Sequence, residues 1–232
     1  MCRDCGCGLP ENEPKTLQVL TKILKDNDEQ ALHNRQHFDR HRVLAVNLMS
    51  SPGAGKTTLL EKTVELLNGK MRVGVVEGDL ETENDAERLR KKGVPAYQIT
   101  TGTACHLDAH MLHRALHHLP LHELDLLFVE NVGNLVCPAS YDLGTHLNVV
   151  LFSVTEGEDK PEKYPVMFKD ADLVLLTKTD LLPYLDFDPK KAERSLRKVN
   201  ARAPLIPVSA KTGEGLSAWV SFLEQAFKER FA

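Results

Sequence analysis

Nearly unbroken apolar runs of strand length recur along this chain, at residues 43–49, 73–77, 96–100, 124–130, 148–154, 172–177 and 205–209. Such runs suit parallel strands covered on both faces. In the intervals the apolar positions switch to helical spacing, over residues 57–68, 86–92, 107–119, 189–201 and 216–231. Leu17, Leu20, Ile23, Leu24 and Ala31 carry the same spacing earlier and predict one amphipathic helix, or two short ones, over residues 14–37. Strands alternating with helical crossovers predict an α/β fold: a mostly parallel sheet of about seven strands with helices on both faces. The expected organisation is a polar, glycine-bearing, flexible tail (1–13), a helical arm (14–42) and one main domain (43–232).

Composition refines this picture at two points. With 232 residues and 42% hydrophobic content, the chain can fill a sizeable core. A formal charge of −4 gives no global pull toward nucleic acid or an anionic membrane. No apolar run reaches the length of a membrane helix, and the N-terminus lacks the apolar core of a signal peptide. The expectation is a cytoplasmic protein with reduced thiols, in which clustered cysteines bind metal more often than they form bridges.

The chemistry is concentrated where strands end. SSPGAGKTT, residues 50–58, follows the first strand and opens a helix, the context a P-loop requires, although Ser50 stands where the motif usually begins with glycine. Gly53, Ala54, Gly55, Lys56, Thr57 and Thr58 are the expected phosphate cradle. The glycines let backbone N–H groups face the β-phosphate, Lys56 reaches the β and γ oxygens, and the Thr57 hydroxyl ligates Mg2+. The bland alternative is an ordinary strand-to-helix turn. VVEGD and LLFVENVG put Asp79 and Glu130 at strand ends, placed to hold Mg2+ directly or through water, unless they are plain solvated loop acids. Lys56, Thr57, Asp79 and Glu130 make the expected catalytic set, with Gly133 letting the second loop respond to the γ-phosphate.

Base choice follows from LLTKTD, which resembles the Asn-Lys-x-Asp guanine signature with Thr177 in place of Asn. The Asp180 carboxylate can accept from guanine N1–H and the 2-amino group, and the Lys178 stem can cover the base. Ser209, Ala210 and Lys211, in PVSAKTGEG, resemble the loop whose backbone contacts guanine O6. Together they favour GTP over ATP and make residues 43–232 a P-loop GTPase domain.

Two groups of soft ligands remain. Cys105 and His106 (TACHLDAH) are expected at a helix N-terminus, which lowers a thiol's pKa, and Cys137 lies shortly beyond Glu130. Thiolate and imidazole suit Ni2+ or Zn2+, with water or a second chain completing the sphere. Cys105 and Cys137 could instead be small buried hydrophobes. Cys2, Cys5 and Cys7, in MCRDCGCG, with the terminal amine, supply four donors suited to planar Ni2+ or tetrahedral Zn2+; the alternative is a disordered tail with incidental thiols. His106, His110, His113 and His117, and earlier His33, His37 and His41, form stripes at helical spacing that read as a solvated polar face rather than as ligands.

Seven segments together resemble one family. MCRDCGCG, NLMSSPGAGKTTLLE, VVEGDLETENDAER, TGTACHLDA, FVENVGNLVCPA, VTEGEDKPEKYP and LLTKTDLLPY look like the HypB GTPases of [NiFe]-hydrogenase maturation, relatives of UreG. The leading cluster matches the Cys-x-x-Cys-Gly-Cys nickel site of some members. The resemblance implies a nickel metallochaperone that uses GTP binding and slow hydrolysis to control transfer to the hydrogenase large subunit. It also implies a GTP-dependent homodimer, exchange with HypA-type and SlyD-type partners, an interfacial metal site at Cys105, His106 and Cys137, and Lys160 and Lys163 reaching nucleotide across the dimer. Exposed loop lysines are the plainer reading of that last pair. The rival assignments are a urease- or cobalamin-type accessory GTPase, and a metal storage or sensor protein with a vestigial nucleotide site.

Overall fold

The computed structural model describes residues 15–79, 84–102 and 104–232, so Cys2, Cys5, Cys7 and the expected tail lie outside the described residues. The chain runs α1 (Lys15–His41), β1 (Leu44–Ser50), α2 (Lys56–Leu67), β2 (Val73–Asp79), α3 (Asn84–Lys91), β3 (Ala96–Thr100), α4 (Ala109–Leu116), β4 (Leu126–Glu130), β5 (Leu147–Ser153), α5 (Lys160–Lys163), α6 (Pro165–Lys169), β6 (Leu173–Thr177), α7 (Pro189–Val199), β7 (Leu205–Pro207) and α8 (Leu216–Phe231). All seven expected strands form and pair in parallel, in the order β3-β2-β4-β1-β5-β6-β7.

Alternation within the central strand builds both faces of the core. Leu44, Val46 and Leu48 of β1 pack with Leu59, Leu60, Trp219 and Leu223 beneath α2 and α8. Ala45, one residue out of phase, packs with Phe38, Leu112 and Leu116 beneath α1 and α4. A third cluster, with Val150, Phe152, Phe168 and Leu196, fills the space beneath α6 and α7. Each face is sealed by a polar tie where apolar packing leaves a buried donor. The Trp219 indole donates to Thr63 Oγ1 at 2.9 Å, satisfying an N–H that would otherwise be costly to bury.

The N-terminal segment forms one helix rather than two, and α1 lies against α4 instead of standing clear. Two buried asparagines fix that contact. Asn34 Nδ2 donates to Ala109 O at 2.8 Å, and the Ala109 amide donates to Asn27 Oδ1 at 2.9 Å. The second bond satisfies an orphan donor in the first turn of α4. No helix among the described residues is long and apolar enough to cross a membrane.

Candidate functional site

The parallel sheet sends the ends of β1, β2, β4 and β6 to one rim, where a doubly wound fold gathers ligands. The loop after β1 turns sharply because Gly53 and Gly55 take φ of +74° and +96°, with Gly55 as the residue from which α2 departs. Ala54 is buried under this turn, and Thr58 is exposed on the first turn of α2.

Lys56 is 8% exposed, and its ammonium donates to Ser50 Oγ at 2.9 Å. The residue that departs from the glycine pattern therefore serves as the lysine's rest position. Burial lowers the Lys56 pKa, against the opposing pull of Glu130, Glu156, Glu77 and Asp79. One cation thus faces several carboxylates at the place where an anionic phosphate and its metal would sit. Thr57 Oγ1 donates to Glu130 Oε1 at 2.8 Å, and Asp79 stands half-buried at the end of β2. The hydroxyl and carboxylates form a hard-oxygen donor set of the kind Mg2+ takes.

The base-recognition residues are assembled on the far side of β1. Lys178 adopts a left-handed conformation (φ +60°) and its ammonium donates to Gly53 O at 2.7 Å, so its stem lies across the P-loop. Thr177 Oγ1 donates to Ala54 O at 2.7 Å. The threonine in the asparagine's place thus still ties this loop to the P-loop backbone. Asp180 Oδ1 accepts from Ser209 Oγ at 2.7 Å, and Lys211 Nζ lies 4.0 Å from its other oxygen. Ala210 stands half-buried between Ser209 and Lys211.

Cys105, His106 and Cys137 come together, with their ligand atoms all within 4.8 Å of one another. Cys105 Sγ is 3.7 Å from His106 Nδ1, and the His106 ring stacks on Tyr141 at 3.9 Å. Burial lowers the His106 pKa, favouring the neutral imidazole a metal requires. The helix-terminus expectation is corrected: Asp108 caps α4, accepting from the Met111 amide at 2.7 Å, so Cys105 and His106 lie in the preceding loop. The Cys137 pKa is raised by its hydrogen bond with Cys105 and by burial.

Two residues, Asn131 and Glu156, escaped the sequence motifs. Asn131, 1% exposed, accepts from the amides of Leu107 (3.1 Å) and Val132 (2.9 Å), while its own amide donates to Asn47 Oδ1 on β1 (3.3 Å). One side chain thereby joins the metal loop, the Glu130 loop and the P-loop strand. Gly133 allows that loop to lie on the P-loop, since a Cβ there would meet the Pro52 backbone at 3.0 Å. Glu156 accepts from Ser51 Oγ and from the Ser153 amide at 2.9 Å, and its carboxylate pairs with Lys160 at 3.3 Å. Lys160 also lies over the Tyr164 ring, and Lys163 pairs with Asp159 at 2.7 Å. Only residue type could have signalled these roles, because each depends on which loops the sheet brings together.

Residues 44–207 match the CobW/HypB/UreG nucleotide-binding domain. The hydrogenase maturation factor HypB of Azotobacter chroococcum is 51% identical over 214 residues, covering 92% of this chain and 70% of its own length. HypB of Escherichia coli K12 is 50% identical over 213 residues, covering 92% and 73%. Among solved structures, Helicobacter pylori HypB in complex with nickel aligns with a TM-score of 0.85 at 43% identity, covering 89% of this chain and 97% of that one. Archaeoglobus fulgidus HypB gives 0.83 at 40% identity, covering 88% and 100%. This chain belongs to the HypB family of nucleotide-binding proteins.

Proposed function

We propose that this chain is a GTP-hydrolysing nickel metallochaperone that serves [NiFe]-hydrogenase maturation. The observation that carries the reading is the continuity of the two sites: the Glu130 loop leans on the P-loop at Gly133, is bridged to the metal loop by Asn131, and runs on to Cys137. A residue that senses phosphate and a residue that holds cargo are thereby parts of one element.

In this reading the P-loop amides and Lys56 bind the β- and γ-phosphates, with Lys56 exchanging the Ser50 hydroxyl for phosphate oxygen. Thr57, Asp79 and Glu130 would hold Mg2+, which would supply charge neutralisation at the phosphates. Thr57 would then exchange its hydrogen bond to Glu130 for the metal, so arrival of the nucleotide changes what holds the Glu130 loop. Asp180 reads the guanine edge, Lys178 covers the base, and Ser209, Ala210 and Lys211 wall the O6 side. Cys105, His106 and Cys137 receive the nickel cargo, with Zn2+ as the competing occupant. A three-ligand site is completed by water or by a second chain, which fits a GTP-dependent homodimer. Lys160 is placed by Glu156 at the rim of the P-loop, where a dimer contact could redirect it, or Lys163, to the other protomer's nucleotide. No water-orienting glutamine stands among the residues named, and intrinsic turnover is accordingly slow. Cys2, Cys5 and Cys7 form an independent nickel site. Nickel passes to or from HypA-type and SlyD-type partners and on to the hydrogenase large subunit.

Sedimentation with GTP, GDP or no nucleotide, with and without Ni2+, tests the coupling. GTP with Mg2+ is expected to raise the dimer fraction and alter nickel binding, and nickel must in return alter GTP affinity by the same factor. A monomer fraction indifferent to nucleotide removes the switch.

Base choice has its own test. Asp180→Asn is expected to weaken GTP binding about ten- to a hundredfold, the loss of a charge-assisted pair worth roughly 1.5–3 kcal/mol. The new donor should favour xanthosine triphosphate, while the Asn oxygen can still accept from Ser209. Unchanged affinity and base preference in a competition assay would refute the guanine assignment.

A further inference from the structure

The histidine stripes are only in part the solvated face their spacing suggested: His33 and His117 are exposed, while His37, His110 and His113 are half-buried. His106 lies outside α4 altogether, and the others converge on the seam between α1 and α4. His33 and His37 are spaced by four residues on α1, and His113 and His117 by four on α4, so each pair shares one helix face. The His33 and His113 ring centres are 5.0 Å apart at 76°, and those of His113 and His117 are 4.9 Å apart at 79°. His37 meets His41 at 4.8 Å, and it is close enough to His33 and His113 for their charges to repel.

Three observations distinguish this cluster from ordinary surface imidazoles. His113 Nδ1 is buried with no hydrogen-bond partner among the described residues, an unusual condition for a polar atom that normally finds one. The groups shifting His37 and His113 are burial, other histidines and Arg40, with no carboxylate to favour a charged ring. Asp26, the acid in the neighbourhood, is engaged by His110 at 3.0 Å. Burial and the neighbouring histidines lower the pKa of His37 and His113, which favours the neutral ring that binds metal. The spacing also fits: imidazoles bound to one tetrahedral ion at about 2.1 Å have ring centres roughly 5 Å apart.

We propose that this seam is a second binding site for a divalent transition metal, with His33, His113 and His117 as ligands and His37 or water as the fourth. Among the described residues, the ligand atoms of Cys105, His106 and Cys137 alone already lie within 4.8 Å of one another as a set. The His33–His113 and His113–His117 ring centres already have the needed separation, and rotation of the exposed His33 and His117 side chains would close the set on an ion. Metal here cross-links α1 to α4, the helix that opens directly after the Cys105–His106 loop. The site stands independently of the nickel-transfer reading, because it uses none of those cysteines.

The full chain with Cys2, Cys5, Cys7, Cys105 and Cys137 all changed to Ser is titrated with Zn2+ alone by equilibrium dialysis, and its thermal unfolding is followed with and without the ion. One equivalent is expected to bind and to raise Tm. His33→Gln with His113→Gln is expected to weaken zinc binding at least about tenfold and abolish the Tm rise, leaving the metal-free Tm near the parent's. His118→Gln with His122→Gln, on exposed rings outside the cluster, is expected to change neither. If the serine background does not fold, the wild-type chain and its His33→Gln/His113→Gln variant are compared, and their zinc stoichiometries are expected to differ by one. Absence of this equivalent, its retention by the seam variant, or an equal loss in the control variant overturns the proposal.

Discussion

Lys56→Ala is expected to lower kcat for GTP hydrolysis by about two to three orders of magnitude, the size of effect seen when one preorganised donor to developing charge is removed. Affinity for GTP should fall as well, because the substitution does more than delete a contact. Lys56 is the buried cation set against Glu130, Glu156, Glu77 and Asp79, and Glu77 and Glu130 are only 3% and 5% exposed. Without it a triphosphate approaches those carboxylates with the buried ammonium removed. Lys56→Arg should rescue little, since a planar fork cannot occupy the space of a compact ammonium. Single-turnover hydrolysis and binding of a fluorescent GTP analogue check this. Turnover within tenfold of the parent would mean that the P-loop lysine does not act on the phosphates.

Cys137→Ala is expected to cost the Cys105–His106–Cys137 site about a hundredfold or more in nickel affinity, exceeding the roughly 10- to 100-fold typical of losing a mere supporting residue. With three protein ligands gathered within 4.8 Å, each supplies a third of the chain's own donors. The measurement belongs in a Cys2→Ser/Cys5→Ser/Cys7→Ser background, so that the leading cluster does not mask the loss. Metal-free GTP turnover should stay within about twofold, since among the described residues the hydrogen bonds of half-buried Cys137 go to Cys105 and Asn134 rather than to the phosphate-site residues. Nickel binding unchanged by the substitution would sink the assignment of Cys137 as a ligand.

The strands, the P-loop and the base loop were legible because each is written locally. Apolar runs of strand length, a glycine turn and the TKTD segment carry their meaning within a few residues. Cys105, His106 and Cys137 were legible as chemistry, but their meeting depends on the loops after β3 and β4 sharing a rim. Asn131 was illegible: an asparagine after a strand has many uses, and only the fold reveals three segments within its reach. The histidine stripe was legible only in part: His33 and His117 are exposed as a solvated face requires, but 4-3-4 spacing assumes a continuous helix, whereas Asp108 starts α4 after His106. Thr177 illustrates the converse. It departs from the asparagine pattern in sequence, yet its hydroxyl reaches Ala54 O at 2.7 Å.

The strand order β3-β2-β4-β1-β5-β6-β7 carries an evolutionary corollary. Asp79, Glu130, Cys137, Cys105 and His106 follow strands on one flank of β1, while Lys178, Asp180 and Ser209 follow strands on the other. In the proposed reading, cargo and nucleobase are thus handled by opposite halves of one sheet, with the phosphates between them. Mutations that retool the thiol–imidazole loops for a different ion can accumulate without disturbing nucleobase discrimination, and the reverse also holds. A scaffold divided in this way is suited to diversification by metal, one lineage at a time, under a constant demand for GTP.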